Sequence, residues 1–321
     1  MKREKLLVCC MFGVALSFGG CDLPPQGGPD MNVTIPKTPE QACPDLTKAY
    51  CKKQADCFPF GFTMAFPDAA TCETRILPLC LQIAKSSGSK VTGDDIAGCA
   101  PKFTSTSCFD YLGQKDPLQI CNFPAGTLAA GTACGMDVQC QGLYCNKDGG
   151  ANCGKCGTRG AAGTDCVDGS DCEKGLACVG ATGASKCTAL LAQGVVCSTT
   201  PGSAPCHPAL ACRSGTCQTP GKLSDSCTMG SQECDATQGL NCPISGKCTA
   251  QLTAGLSQPC GIQGTTYVLC TGGTWCETTQ KKCMAPAQDG GACNNATGPR
   301  CAAPASCTNS VCSMLDTTTC K

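Results

Sequence analysis

Cysteine recurs along this chain in a lattice, and that lattice limits the possible folds more than any other feature. After residue 121 the cysteines fall into groups whose first members are Cys134, Cys166, Cys197, Cys227, Cys260 and Cys293, at steps of 32, 31, 30, 33 and 33 residues. Each group repeats one order, as in Cys166, Cys172, Cys178 and Cys187, with Cys156 and Cys320 as extras. Self-similarity at such a period marks a tandem array. The six units run over about 131-156, 163-187, 194-217, 224-248, 257-283 and 290-320, within residues 122-321. A unit of about thirty residues buries too little surface to fold alone, and disulfides at about 2–4 kcal/mol each are the usual remedy. Four cysteines allow three pairings, and the sequence leaves them open.

Three residues before every first cysteine stands a Gly or Ser: Gly131, Gly163, Gly194, Ser224, Ser257 and Gly290. A tight turn in which a large side chain would clash accounts for this. Before the third cysteine three units read Gly-Leu-x-Cys, at Gly142-Leu143, Gly175-Leu176 and Gly239-Leu240. On a strand the Leu and Cys share a face. Short turn-forming stretches such as Arg213-Ser214-Gly215 follow, so each unit is predicted to be a two-stranded hairpin preceded by an irregular loop. The links between units hold 9, 9, 9, 11 and 9 residues, counted from the last cysteine of one to the first of the next. That uniformity predicts a repeated junction and an elongated, moderately stiff rod.

Residues 43-121 differ. Their eight cysteines, Cys43, Cys51, Cys57, Cys72, Cys80, Cys99, Cys108 and Cys121, are widely and irregularly spaced, with room for helices. One helix is expected to open at Pro44-Asp45. A second should run from Asp68 to Ile83, kinked or broken at Pro78, and a third should follow Thr92 as N-cap with Asp94 and Asp95 in its first turn. The predicted fold class is therefore small and disulfide-rich: an N-terminal helical disulfide domain followed by a tandem array of small β-hairpin cysteine modules. With only 4% aromatic residues and abundant Gly, Pro and Cys, no conventional large hydrophobic core is expected.

Upstream, Lys2, Arg3 and Lys5 precede an apolar run from Leu6 to Phe18 and then Gly19-Gly20-Cys21. The run is too short to span a bilayer, and the pattern reads as an export signal over 1-20. Small residues directly before a cysteine resemble a bacterial lipobox, which implies lipidation of Cys21 and a membrane anchored through an N-terminal lipid. Residues 21-42, rich in Pro and Gly, read as a tether. Of the 37 cysteines, removing Cys9, Cys10 and a lipidated Cys21 leaves 34, the even number that full pairing needs. Without the leader the chain carries 21 basic and 23 acidic residues, so no field steers it toward nucleic acid.

The stretch Cys134 to Cys178, with Cys153-Gly-Lys-Cys156 inside it, resembles the N-terminal cysteine-rich domain of Dickkopf proteins. The whole layout is similar to cysteine-rich lipoproteins of myxobacterial type that carry such repeats in tandem. The resemblance implies protein binding. It also implies a place in the cell envelope, at the outer membrane or cell surface of a bacterium. Later units depart from the pattern by stretching the first gap, as between Cys260 and Cys270.

Chemistry-bearing residues are few. His207, between Cys206 and Pro208, is the one histidine, and nucleophilic catalysis usually needs such a base. Cys153 and Cys156 have redox-pair spacing, and with Cys140 and Cys145 they could hold zinc, but an exported cysteine lattice favours structural disulfides. Asp165, Asp168, Asp171 and Glu173 match no EF-hand loop and read as solvated side chains. No cofactor or metal is expected. Phe58, Phe60, Phe62 and Phe66 read first as core of the helical unit and second as an exposed contact surface, with Trp275 and Tyr267 as a further candidate surface. The expected function is a non-catalytic cell-envelope lipoprotein whose modules bind an envelope or extracellular protein or a surface, or act as a spacer. The alternatives are a disulfide-rich inhibitor of extracellular hydrolases and a redox or metal protein using the Cys153 motif.

Overall fold

The computed structural model describes residues 35–320 except 115–116, 148–151, 181–183, 201 and 265. The export signal, Cys21 and most of the tether lie outside the described residues. Residues 36 to 321 form one unit. It is built from a helical hub and the six modules.

Among the described residues the hub holds five α-helices: α1 Pro39–Cys57, α2 Pro59–Ala65, α3 Ala69–Lys85, α4 Gly93–Ser105 and α5 Cys108–Leu112. The first begins earlier than its sequence suggests. Thr38 accepts from the Gln41 N–H while the Gln41 side chain accepts from the Thr38 N–H, so a capping box starts the helix at Pro39 and carries it through Pro44. Residues 39 to 42, expected to belong to the tether, are therefore part of this helix. Pro78 likewise lies inside an unbroken α3. On either side of it Cys72 is bonded to Cys51 and Cys80 to Cys43, both on α1, and these anchors hold the helix against the local cost of the proline. The expected Thr92 cap is present as a second capping box with Asp95. Leu46, Ile83, Ile96 and Phe103 pack at the centre, with the Phe103 ring edge-on to Tyr50 at 5.8 Å and to Tyr111 at 6.3 Å. Cys57–Cys108 and Cys99–Cys121 complete the stapling.

Every module has one design. The first cysteine pairs with the third and the second with the fourth, as in Cys166–Cys178 and Cys172–Cys187. In module one Cys156 takes the fourth place, bonded to Cys140, and Cys153 is the supernumerary residue. The third and fourth cysteines lie opposite each other on an antiparallel hairpin, as at Cys178↔Cys187, Cys212↔Cys217, Cys276↔Cys283 and Cys307↔Cys312. The backbone wraps round this pair identically six times. The N–H of Gly131, Gly163, Gly194, Ser224, Ser257 and Gly290 each donates to the carbonyl of the cysteine in the fourth place of its module, at 2.7–2.8 Å. All six have positive φ, between 66° and 86°. The four glycines among them would have open space around a Cβ, so the cause is the left-handed backbone and the expected clash is absent.

The modules form no rod. Cys153 of module one is bonded to Cys320 beyond module six, closing the array on itself. Along the way the modules lean on the hub. Gln139 Nε2 donates to the Ser87 carbonyl at 2.8 Å, and Val138 enters the hub core. Arg75 of α3 grips Asp289 with two nitrogens at 2.7 and 2.8 Å, and reaches the carbonyls of Ala302 and Ala303. Ser86 and Thr317 share a buried hydroxyl contact at 2.9 Å. The links repeat a junction: a parallel bridge to the next module's second cysteine at Gly160↔Cys172, Leu191↔Cys206, Gly221↔Cys234 and Ala287↔Cys301.

Candidate functional site

The phenylalanine segment is where the hub receives the array. Phe60 packs on Gly239 of module four, where an added Cβ would meet its ring at 2.3 Å. Phe62 and the buried Phe66 pack beside the Cys51–Cys72 disulfide together with Ala303 of module six. The end of α2 is capped from module five: the N–H groups of Gly272 and Gly273 donate to the carbonyls of Thr63 and Met64, at 2.6 and 2.9 Å. Only Phe58 keeps substantial exposure, at 37%. Trp275 lies against Gly298 of module six and donates Nε1–H to the Ala285 carbonyl at 3.2 Å. Among these candidates Tyr267 alone stays largely outside, at 54% exposure. The surface read as a contact for a partner is mostly a contact within the molecule.

His207 has the same fate. Its ring stacks on Phe109 of α5 with centroids 3.8 Å apart and lies against Gly113. Nδ1 accepts from the Ala209 N–H. Burial lowers its pKa, against the opposing charge of Asp110. The Cys153 motif is split between two disulfides, Cys153–Cys320 and Cys140–Cys156, so its two sulfurs do not form a redox pair. The sulfur triads of the modules, such as Cys134, Cys140 and Cys156, come close because disulfides stack there. Three of the four acidic residues, Asp165, Asp168 and Asp171, are also engaged. Asp165 pairs with Lys186 at 2.5 Å, Asp168 accepts from the Ser170 N–H, and Asp171 accepts from the N–H groups of Val167 and Asp168.

What the sequence did not single out is a cleft of about 740 Å³ where the hub, modules one and two and the C-terminal tail meet. Leu118, Phe123, Met136, Val138, Leu143 and Leu315 supply its apolar lining. Lys147, Glu173 and Lys174 contribute to its polar wall, and the rest of that wall is a network around Arg159. The Arg159 guanidinium lies over the Tyr144 ring at 4.7 Å, pairs with Asp137 at 2.5 Å and donates to the Ser170 carbonyl at 2.6 Å. The Tyr144 hydroxyl donates to Asp171. Burial, then that bond to a carboxylate, raises the Tyr144 pKa well above the usual phenol range. Burial works against ionised Asp171, but the Tyr144 hydroxyl, the two N–H groups and the Arg159 charge hold its pKa below the usual carboxylate range. At the lip, Leu143 has φ of 48°, a conformation costly for a branched side chain. In modules two and four the positive φ falls on the glycine before that leucine, at Gly175 and Gly239. In module one Gly142 is held by close approach to the Gly157 carbonyl, and the strain moves to Leu143. Tyr144, the one aromatic residue placed just before a third cysteine other than Trp275, was the signal available in the sequence.

The arrangement offers a preformed apolar trough beside a polar wall in which Arg159 and Asp137 already pair, suited to recognition by shape. No family model, curated protein or solved structure matches this chain. Among the described residues no helix is long and apolar enough to cross a membrane. The seventeen disulfides among the described residues are the mark of an exported or extracellular protein.

Proposed function

We propose that this chain is a non-catalytic cell-envelope lipoprotein, anchored through Cys21, that presents a covalently closed head to a protein partner. The observation that carries the reading is the pairing of every described cysteine, with Cys153–Cys320 fastening module six to module one. A closed array supports a binding head over a spacer, because its first and last modules are tied together and it cannot lengthen. Complete pairing also leaves Cys21 no partner among the described residues, which favours lipid over disulfide at that sulfur. The cleft beside Tyr144 and Arg159 is the recognition surface of this reading, and the resemblance to Dickkopf modules supports protein as the ligand class.

Two measurements test it. Intact mass of the membrane-extracted protein should include a diacylglyceryl adduct on Cys21, and Cys21→Ser should move the chain from the membrane to the soluble fraction. An unmodified Cys21 would remove the anchor. Crosslinking from a photoreactive residue at Leu143 in intact cells should yield a discrete protein adduct that Arg159→Ala weakens. Crosslinks to lipid alone would contradict the protein-binding reading.

A further inference from the structure

One disulfide differs from the other sixteen among the described residues in what it joins. Those sixteen link cysteines inside the hub or inside one module, at most 51 residues apart. Cys153–Cys320 alone links separate parts of the array, over 167 residues. The modules at its two ends are complete without it: module one through Cys134–Cys145 and Cys140–Cys156, module six through Cys293–Cys307 and Cys301–Cys312. Breaking this bond removes no module's own staple and changes the closure alone.

Disulfide exchange starts when a thiolate reaches a sulfur, so access decides which bond yields. Neither Cys153 nor Cys320 is buried, whereas fifteen of the other described disulfides have at least one buried cysteine. The remaining pair, Cys166–Cys178, is similarly open, but its sulfurs cannot drift apart. Cys178 lies on its hairpin opposite Cys187, and the Cys166 N–H donates to the Ser185 carbonyl on that same hairpin at 3.1 Å. A bond broken there stays in register and recloses.

Cys320 has no such frame. From Met314 to Cys320 no described residue pairs in a strand. The segment rests on α3 through Arg75 at the Met314 sulfur, through Gln82 Nε2 donating to the Leu315 carbonyl, and through the Ser86–Thr317 hydroxyl contact. Single hydrogen bonds of this kind contribute little net against water. Past Thr317 the disulfide and the contacts of its own sulfurs tie the segment to module one. That segment is also a wall of the cleft: Leu315 lines it, and Thr317 lies on the lining residue Gly135, where an added Cβ would meet it at 2.8 Å.

We propose that Cys153–Cys320 is a reducible latch on the cleft, opened selectively by a protein dithiol. One thiolate of the dithiol bonds to Cys320 Sγ, and Cys153 leaves as thiolate with the electron pair of the broken S–S bond. The Thr319 hydroxyl, 3.9 Å from Cys153 Sγ, is placed to donate to that thiolate. The second thiolate of the dithiol then attacks its own sulfur in the mixed disulfide and releases Cys320. Two electrons pass to this chain, its two thiolates take up the two protons the dithiol gave up, and the dithiol ends as a disulfide. With the latch open, residues 314 to 320 leave module one, Leu315 leaves the lining, and the trough loses its shape. The loss of partner binding that follows rests on the cleft being the recognition surface; the selective reduction does not.

The test uses the full chain carrying Cys21→Ser, incubated without denaturant with reduced thioredoxin as the dithiol probe, then alkylated, digested and read by mass spectrometry. Cys153 and Cys320 should be alkylated about tenfold faster than the cysteines of any other pair. Another pair opening first, or all pairs opening together, would overturn the latch. In the same background, Cys153→Ser with Cys320→Ser should keep the circular dichroism of the parent while hydrogen exchange rises about tenfold over residues 314 to 320 and stays unchanged over 163 to 187. Unchanged exchange in 314 to 320 would overturn the proposal, because the bond would then not be what holds the wall. With a photoreactive residue at Leu143, the double variant should give about fivefold less protein adduct than the parent. Equal adducts would overturn the regulatory consequence. No adduct from either chain would contradict the recognition surface itself, and alkylation and exchange would still decide the latch.

Discussion

The hub and the modules use cystine differently. In the hub, buried Leu46, Ile83, Ile96 and Phe103 form a continuous apolar centre, and four disulfides pin helices that have already found each other. In the modules the cystines are themselves the centre: in module one the buried cluster is Cys134, Cys140, Cys145 and Cys156, with Leu128 packed beside them. Helices present wide apolar stripes, so the hub can be held by burial. Strands of two to five residues cannot, and there the sulfur atoms supply both cross-link and core.

The first way to break this contrast is Phe103→Ala. Removing a fully buried ring should cost about 3–5 kcal/mol, read in denaturant unfolding followed by the helical circular dichroism signal. A loss under 1 kcal/mol would mean that disulfides, not burial, hold the hub.

Next in size, replacing Cys172 and Cys187 together by Ala should remove about 2–4 kcal/mol from module two. That unit has almost nothing else to hold it, so limited proteolysis should cut between residues 160 and 190. The matching replacement of Cys43 and Cys80 should lower the melting temperature yet keep the helical signal and yield no discrete cut. Equal protease sensitivity of both variants would erase the distinction.

These two regions were also unequally legible. The array's period, module boundaries and hairpins followed from spacing, because a cysteine lattice records geometry directly. Hub helices were legible where a cap was conspicuous, at Thr92 and Asp68, and missed where Pro39-Glu40 resembled tether and the Thr38–Gln41 box was overlooked. Closure was not legible at all. Cys153 and Cys320 stood out as extras only by count, and no local pattern relates residues 167 apart in sequence. The cleft was hidden for a related reason: Asp137, Tyr144 and Arg159 lie close together in sequence, but Leu118, Ser170 and Leu315, which complete its lining, come from three distant segments. The Phe58 to Phe66 segment was noticed, but its partners on modules four, five and six depend on the closure.

A smaller effect sharpens the account of the module turn. Gly131→Ala should cost about 1–2 kcal/mol although nothing lies near the new methyl group, because the left-handed backbone is the obstacle. Ser224→Gly should stabilise by a similar or smaller amount. Chemical denaturation checks both, and a neutral Gly131→Ala would contradict the assignment to φ.

The smallest expected effect is a pH dependence at the seam between hub and module three. Because the folded protein depresses the His207 pKa below its ordinary 6.5, the unfolded chain binds the proton more readily. Stability is therefore greatest above about pH 6.5 and falls as the pH drops from there through the lower folded value. His207→Phe, which keeps a ring to stack on Phe109, should flatten that part of the stability curve; an unchanged curve would assign the dependence to other groups.

The central claim is that the six modules close on themselves through one long-range bond. Proteolytic digestion of the unreduced protein followed by mass spectrometry tests it directly. A peptide containing Cys153 should be recovered joined to one containing Cys320, with Cys140 joined to Cys156. Recovery of Cys153 bonded to Cys156, or as a free thiol, would contradict the closure and restore the open rod.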